Sequence, residues 1–400
     1  MKTIHSLPTA PLWLTAPALV AGLLLSGCES KPAATEANKT AVVVPGEINK
    51  TSDSTATKAP ATDSAGTAKG ASSAVKPMGP KPAWGPSIQP EMQAVIEQLA
   101  SFKAPPLTSL TPQQARKQPG AAEAATKQMV VSRIPRPPMN VDTVTKTLVP
   151  GVKARIYTPK LGTASFPVIV YYHGGGWVIA NLDTYGASAQ ALAEQVGAVV
   201  VSVAYRQAPE HKFPTAHDDS FAAYQWVLKN AASIKGDPKN VAVVGESAGG
   251  NLAGAVSLMA RDTKVALPKY QVLVYPIAGY NQNTPSYLKS TDYQPLNKAA
   301  MGWFFKQYLR TPADGKDSRI NLVGANLKGL PPTTIISAEL DPLMSEGKIL
   351  ADNLQKAGVK VNYKLYPGTT HEFYGMGAVV PQAKDAEQLA ASDLKKAFGK

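Results

Sequence analysis

Two hydrophobic rhythms alternate along the chain from Lys153 onward, short β-branched runs and longer Ala- and Leu-rich stretches with helical spacing. Strands are predicted at 154–158, 168–172, 198–204, 241–245, 270–275, 333–338 and 360–366, and helices at 184–196, 215–229, 248–259, 345–356 and 382–398. Such alternation implies an α/β fold with a mostly parallel central sheet flanked by helices. Val241-Ala242-Val243-Val244-Gly245 is apolar throughout, as a strand buried on both faces should be. Between 277 and 311 the rhythm breaks, leaving one aromatic-rich helix at 301–309. In a succession of this kind the working residues lie on loops beyond the strand C-termini.

Upstream, Met92, Val95, Ile96 and Leu99 fall at helical intervals within 91–102, so one apolar face needs a partner. Thr111 and Pro112 offer an N-cap and a first-turn proline for a second, short helix carrying Ala115 and Arg116. We assign 89–145 to a helical cap segment, lying over the open end of the sheet or else packed elsewhere on the domain surface, and 146–400 to the α/β domain itself. From Glu29 to 88 the composition is Ala, Thr, Ser, Lys and Pro with few large apolar residues, which predicts a disordered tether. The globular part, from about Ile88, is then about three hundred residues long and suits one α/β domain with an accessory element.

Residues 1–28 read as a secretory signal: Lys2, an apolar stretch over 11–25 that is short for a bilayer span, then Leu25-Ser26-Gly27-Cys28. This last tetrapeptide resembles the lipobox of bacterial lipoproteins, in which the cysteine becomes the lipidated N-terminus. Cys28 is the sole cysteine, and a lone thiol at the end of a signal sequence has that one obvious use. The expected partner is membrane lipid through acylated Cys28. Glu29 differs from the aspartate that, by the same resemblance, retains lipoproteins in the inner membrane, so an outer-membrane anchor facing the periplasm or the cell surface is expected. The formal net charge of +13 comes from scattered lysines without an arginine-rich run or interleaved aromatics. It implies a solvated surface attracted to anionic lipid and no nucleic-acid partner.

The chemistry centres on Gly245-Glu246-Ser247-Ala248-Gly249-Gly250, between the predicted strand 241–245 and helix 248–259. A G-x-S-x-G so placed is a nucleophile elbow, a turn tight enough that the residues two before and two after the serine must lack a Cβ. It lifts the Ser247 hydroxyl above the sheet edge and aims the Ala248 N–H, at a helix N-terminus, into the same space. A serine hydroxyl needs a base to take its proton. The α/β-hydrolase fold takes its triad in the order serine, acid, histidine, and of the five histidines only His371 follows the elbow, in a loop after the last predicted strand. The acid should lie at the end of the strand between them. Asp341, followed by Pro342, stands there; Glu339 is still on the strand and Glu346 enters the next helix, so Asp341 is preferred. Further oxyanion donors are expected from His173-Gly174-Gly175-Gly176-Trp177, where bare backbone can approach a carbonyl oxygen. Each such donor is worth roughly 3 kcal/mol of barrier.

Taken together, HGGG upstream of GESAGG resembles the bacterial hormone-sensitive lipase family of α/β-hydrolases, over most of the chain from about Glu91. Tyr205-Arg206-Gln207-Ala208-Pro209-Glu210, Phe213-Pro214, Gly329-Leu330-Pro331-Pro332 and Asp341-Pro342-Leu343 match as well, in the right order. The resemblance implies that the oxyanion donors are the N–H groups of Gly175, Gly176 and Ala248. It also implies that His173 and Glu246 brace loops, and that residues from about 91 to 130 form a cap lining the acyl pocket. It implies a serine carboxylesterase acting on a small ester substrate with a short- to medium-chain acyl group, without metal or cofactor. Polysaccharide-acetyl, aryl-ester or amide hydrolysis would use the same triad. A non-catalytic binding protein on this fold is the rival of another class; the plant gibberellin receptors similar to this family have lost the histidine, whereas His371 is present. The chain departs from the family in having Ala204 before Tyr205-Arg206, Ala180 where glycine is common, and Glu372 where His-Gly-Phe is usual, which sets a charge beside the base.

Overall fold

A computed structural model describes residues 75–163 and 165–400; Cys28, the signal segment and most of the expected tether lie outside the described residues. The strands are β1 (Val141–Val149), β2 (Val152–Pro159), β3 (Phe166–Tyr172), β4 (Val199–Ala204), β5 (Gly236–Glu246), β6 (Gln271–Val274), β7 (Thr333–Leu340) and β8 (Val361–Thr370). They form one sheet in the order β1-β2-β4-β3-β5-β6-β7-β8. Its first two pairings are antiparallel and the rest parallel. The helices are α1 (Pro90–Ser101), α2 (Pro112–Ala115), α3 (Ala121–Val131), α4 (Gly186–Val196), α5 (Thr215–Asn230), α6 (Ala248–Asp262), α7 (Pro285–Lys289), α8 (Lys298–Tyr308), α9 (Met344–Lys356) and α10 (Pro381–Ala397).

Every residue of β3 is buried, and its alternate residues serve different cores. Val168, Val170 and Tyr172 join one hydrophobic cluster and Ile169 and Tyr171 the other. This is the period of two expected of a pleated strand with helices on both faces. All seven predicted strands are present. The first strand of the sheet, β1, is missing from the sequence-based expectation. Its residues from Asp142 to Thr147 are exposed, so its polar sequence carries no core-facing alternation. The expected boundary between cap and catalytic domain at 145/146 therefore falls inside β1, and the sheet begins earlier, at Val141.

The N-terminal segment also corrects the expected extent of the tether. Residues 75–88 are packed on the domain: Val75 and Ile88 are buried, and the backbone N–H groups of Met78 and Gly79 donate to the Glu97 carboxylate at 2.6 and 3.0 Å. The Gln93 amide donates to the Gly79 carbonyl at 2.8 Å. A few apolar anchors and one carboxylate on α1 hold a stretch whose average composition reads as unstructured. Helix α1 matches the predicted 91–102, and α2 is N-capped by Thr111 in a capping box with Gln114. The Ala-rich α3, absent from the sequence prediction, packs Ala121, Ala124 and Ala125 inward.

These elements reach the sheet's C-terminal end. Ser87 Oγ donates to Glu339 and Gln89 N–H to the Gly368 carbonyl, each at 2.9 Å. Arg116 donates to the carbonyls of Val178 and Ala208 at 2.8 and 2.7 Å and pairs with Glu210. Trp303 Nε1 on α8 donates to the Leu110 carbonyl at 3.2 Å. The two regions expected to supply cap or wall thus meet each other.

Candidate active site

Strand β5 ends at Glu246 and α6 starts at Ala248, so Ser247 alone makes the turn, with φ 55° and ψ −118°. That conformation costs a residue with a Cβ roughly 1–3 kcal/mol and persists only where its surroundings hold it. Here they do: Ser247 N–H donates to the Val274 carbonyl at 2.9 Å, and its own carbonyl accepts from Asn251 and Ile277 at 3.0 and 3.2 Å. The flanking glycines meet the steric expectation. A Cβ on Gly245 would overlap the Gly249 carbonyl, and one on Gly249 the Tyr172 carbonyl.

Sheet register explains how the partners arrive. Leu340 of β7 pairs with Thr370 of β8, so Asp341 and His371 are each the first residue past the same rung. His371 Nδ1 lies 2.7 Å from Asp341 Oδ2, and His371 Nε2 lies 2.9 Å from Ser247 Oγ. The second Asp341 oxygen accepts the Leu343 N–H at 2.9 Å. All three side chains are buried. Burial alone would lower the His371 pKa, but the Asp341 carboxylate, by charge and hydrogen bond, together with Glu372 and Glu246, raises it. The rival acids are occupied elsewhere. Glu339 accepts from Ser87 Oγ and the Gly368 N–H. Glu346 accepts the Ala278 N–H at 2.7 Å, and burial holds its carboxyl well above the usual range.

The glycine loop follows β3 and lies beside the elbow. Gly175 and Gly176 have φ of 96° and 59°, and a Cβ on Gly176 would overlap the Phe304 ring of α8. Among the described residues neither glycine N–H has an acceptor in the chain, and Ala248, first residue of α6, has an N–H with no intrahelical acceptor. His173 lies inside the loop. Its Nδ1 is 2.8 Å from the Gly174 carbonyl, and its ring stacks on Tyr205 at 4.4 Å. Burial lowers its pKa to about 4. Glu246 is fully buried beneath the elbow and accepts from the hydroxyls of Tyr171 and Tyr275. Burial raises its pKa to about 7, against the pull of those hydrogen bonds.

Sequence reasoning missed the aromatic residues around the histidine. The Tyr275 ring lies 4.6 Å from that of His371, and Tyr185 donates to Glu372. Both stand where a strand or helix meets a loop, positions at which a tyrosine reads as ordinary core; no spacing signal marks them.

A mostly parallel sheet whose β5 delivers a serine on a strand–turn–helix elbow is the architecture of the α/β-hydrolases. The chain belongs to the α/β hydrolase fold family, whose profile matches residues 169–375. It is 38% identical over 251 residues to carboxylesterase NlhH of Mycobacterium tuberculosis, covering 62% of this chain and 79% of that protein. It is 34% identical over 245 residues to an ethyl acetate hydrolase of Pseudomonas putida, covering 60% and 77%. Among solved structures it is similar to a hyperthermophilic esterase of Pyrobaculum calidifontis, with a TM-score of 0.71 and 34% identity over 78% of this chain and 98% of that one.

Proposed function

We propose that this protein is a serine carboxylesterase of the hormone-sensitive lipase type, with Ser247, His371 and Asp341 as its triad. The observation that carries the reading is the continuous relay from Asp341 Oδ2 through the His371 ring to Ser247 Oγ, at 2.7 and 2.9 Å. Ser247 attacks the ester carbonyl carbon as His371 Nε2 takes its proton. The carbonyl oxygen, now an anion, is received by the N–H groups of Gly175, Gly176 and Ala248. His371 returns the proton to the departing alcohol oxygen, leaving an acyl-Ser247 ester. Water, deprotonated by the same nitrogen, attacks that ester, and the acid and free Ser247 are released. Asp341 keeps the Nδ1 proton in place and stabilises the imidazolium of each step.

Carboxylesterase relatives support ester hydrolysis as the reaction. The Phe304 ring packed against Gly176 of the glycine loop supports a confined apolar site that takes a short or medium acyl chain. A series of p-nitrophenyl esters from acetate to palmitate, assayed beside acetylated xylan and an anilide, tests this. The expected result is turnover concentrated on acyl chains of medium length or shorter; preference for the acetylated polysaccharide or the anilide would redirect the assignment.

The Leu25-Ser26-Gly27-Cys28 tetrapeptide supports export and lipid attachment at Cys28, with outer-membrane attachment the reading we favour. Expressed in a bacterium that processes lipoproteins, the wild-type chain is expected in the membrane fraction and Cys28→Ser in the soluble one. Unchanged fractionation of the variant would refute anchoring by this cysteine.

A further inference from the structure

The triad leaves one acid beside it unexplained. Glu372, next to His371 in sequence, is half-buried and held at φ 65°, a left-handed backbone conformation that disfavours any residue bearing a Cβ. Its Oε1 accepts from the Tyr185 hydroxyl at 3.3 Å. That hydroxyl also reaches the glycine loop: a Cβ on Gly174 would overlap it, and the Tyr185 ring lies 5.9 Å from that of His173. The Glu372 side chain therefore ties the loop bearing the base to the loop bearing the free amides, through one phenol.

We propose, building on the esterase reading, that Glu372 is a positioning residue that holds a negative charge against His371 and, through Tyr185, fixes the histidine loop to the glycine loop. The groups facing this pair are Asp341 beyond β7, Glu246 at the end of β5, Glu123 on α3, Tyr185 ahead of α4 and Tyr275 beyond β6. Each is an acid or a phenol. Burial holds the Glu372 pKa above the ordinary carboxylate value, and the imidazolium of His371 opposes part of that rise, so a charged Glu372 and a charged His371 favour each other.

His371 can accept the Ser247 proton only when neutral, and nearby negative charge keeps it protonated to higher pH. Neutralising Glu372 therefore moves the acid limb of kcat/KM to lower pH. The same change removes stabilisation from the imidazolium formed in the transition state, so the plateau rate falls. A residue that served only to hold the loop would lower the plateau and leave the limb in place.

The test measures kcat/KM against pH with p-nitrophenyl butyrate for wild type, Glu372→Gln and Glu372→Gly. The glycine variant suits the positive φ and serves if the glutamine variant fails to fold. Both are expected to lower the plateau, and the ratio of activity at about pH 5.5 to that at about pH 8 should rise roughly threefold or more. The His371 ring resonance, followed by NMR across the same range, should titrate at lower pH in the folded variant. A folded, active variant with an unmoved limb and an unmoved His371 titration overturns this inference alone. A wild-type chain that hydrolyses no ester overturns the esterase reading beneath it.

Discussion

Ser247→Ala is expected to remove ester hydrolysis by about 10⁴-fold or more while leaving the fold intact. The hydroxyl is the only atom replaced. The backbone that creates the elbow is held by hydrogen bonds of the Ser247 N–H and carbonyl, to Val274 and from Asn251 and Ile277, none of which involves the side chain. The residual rate would come from the Gly175, Gly176 and Ala248 amides acting on a bound ester. Thermal unfolding within a few degrees of wild type, together with loss of p-nitrophenyl butyrate hydrolysis, is the expected pair of results. An unfolded variant would instead indicate that the hydroxyl supports the turn.

Asp341→Asn is the second large effect, also about 10⁴-fold in kcat. An asparagine retains the shape but loses the charge that stabilises the imidazolium, and it can present an amide N–H toward His371 Nδ1, driving the ring proton to Nε2. That nitrogen, 2.9 Å from Ser247 Oγ, could then no longer accept. The rival acids make a sharp contrast. Glu339→Gln disturbs the link between Ser87 and Gly368, and Glu346→Gln retains an oxygen for the Ala278 N–H. Both should keep activity within about tenfold of wild type, because neither carboxylate touches the histidine. Comparable losses in Glu339→Gln and Asp341→Asn would remove Asp341 from its assigned place.

The three residues of this relay were legible in the chain because Ser247 and Asp341 each stand immediately past an apolar strand, and His371 is the one histidine after the elbow, beyond a strand whose apolar residues alternate with polar ones. Ser247 follows β5, Asp341 follows β7 and His371 follows β8. Parallel register does the rest, since residues just past adjacent strand ends are neighbours in space. The glycines were legible for a related reason: a side chain does not fit there, because the Tyr172 carbonyl crowds Gly249, the Phe304 ring crowds Gly176, and Gly175 and Gly176 have positive φ. Strand β1 was not, because an edge strand exposed on both faces has no core to impose a pattern. Residues 75–88 were hidden by averaging, since their docking depends on Val75, Ile88 and the partner Glu97 rather than on composition. The surroundings of His371 were hidden more deeply. Tyr185 and Glu246 lie far from it in sequence, and which acid or phenol faces an imidazole is decided by how loops from α4, β5 and β6 converge.

Whether Ser247 becomes the acylated residue under the control of His371 can be read by mass spectrometry of the chain inactivated with an alkyl fluorophosphonate. A single phosphonyl adduct on the peptide containing Ser247, formed in step with loss of activity and slowed by orders of magnitude in His371→Ala, is the predicted result. An adduct on another residue, or inactivation with Ser247 unmodified, would contradict it.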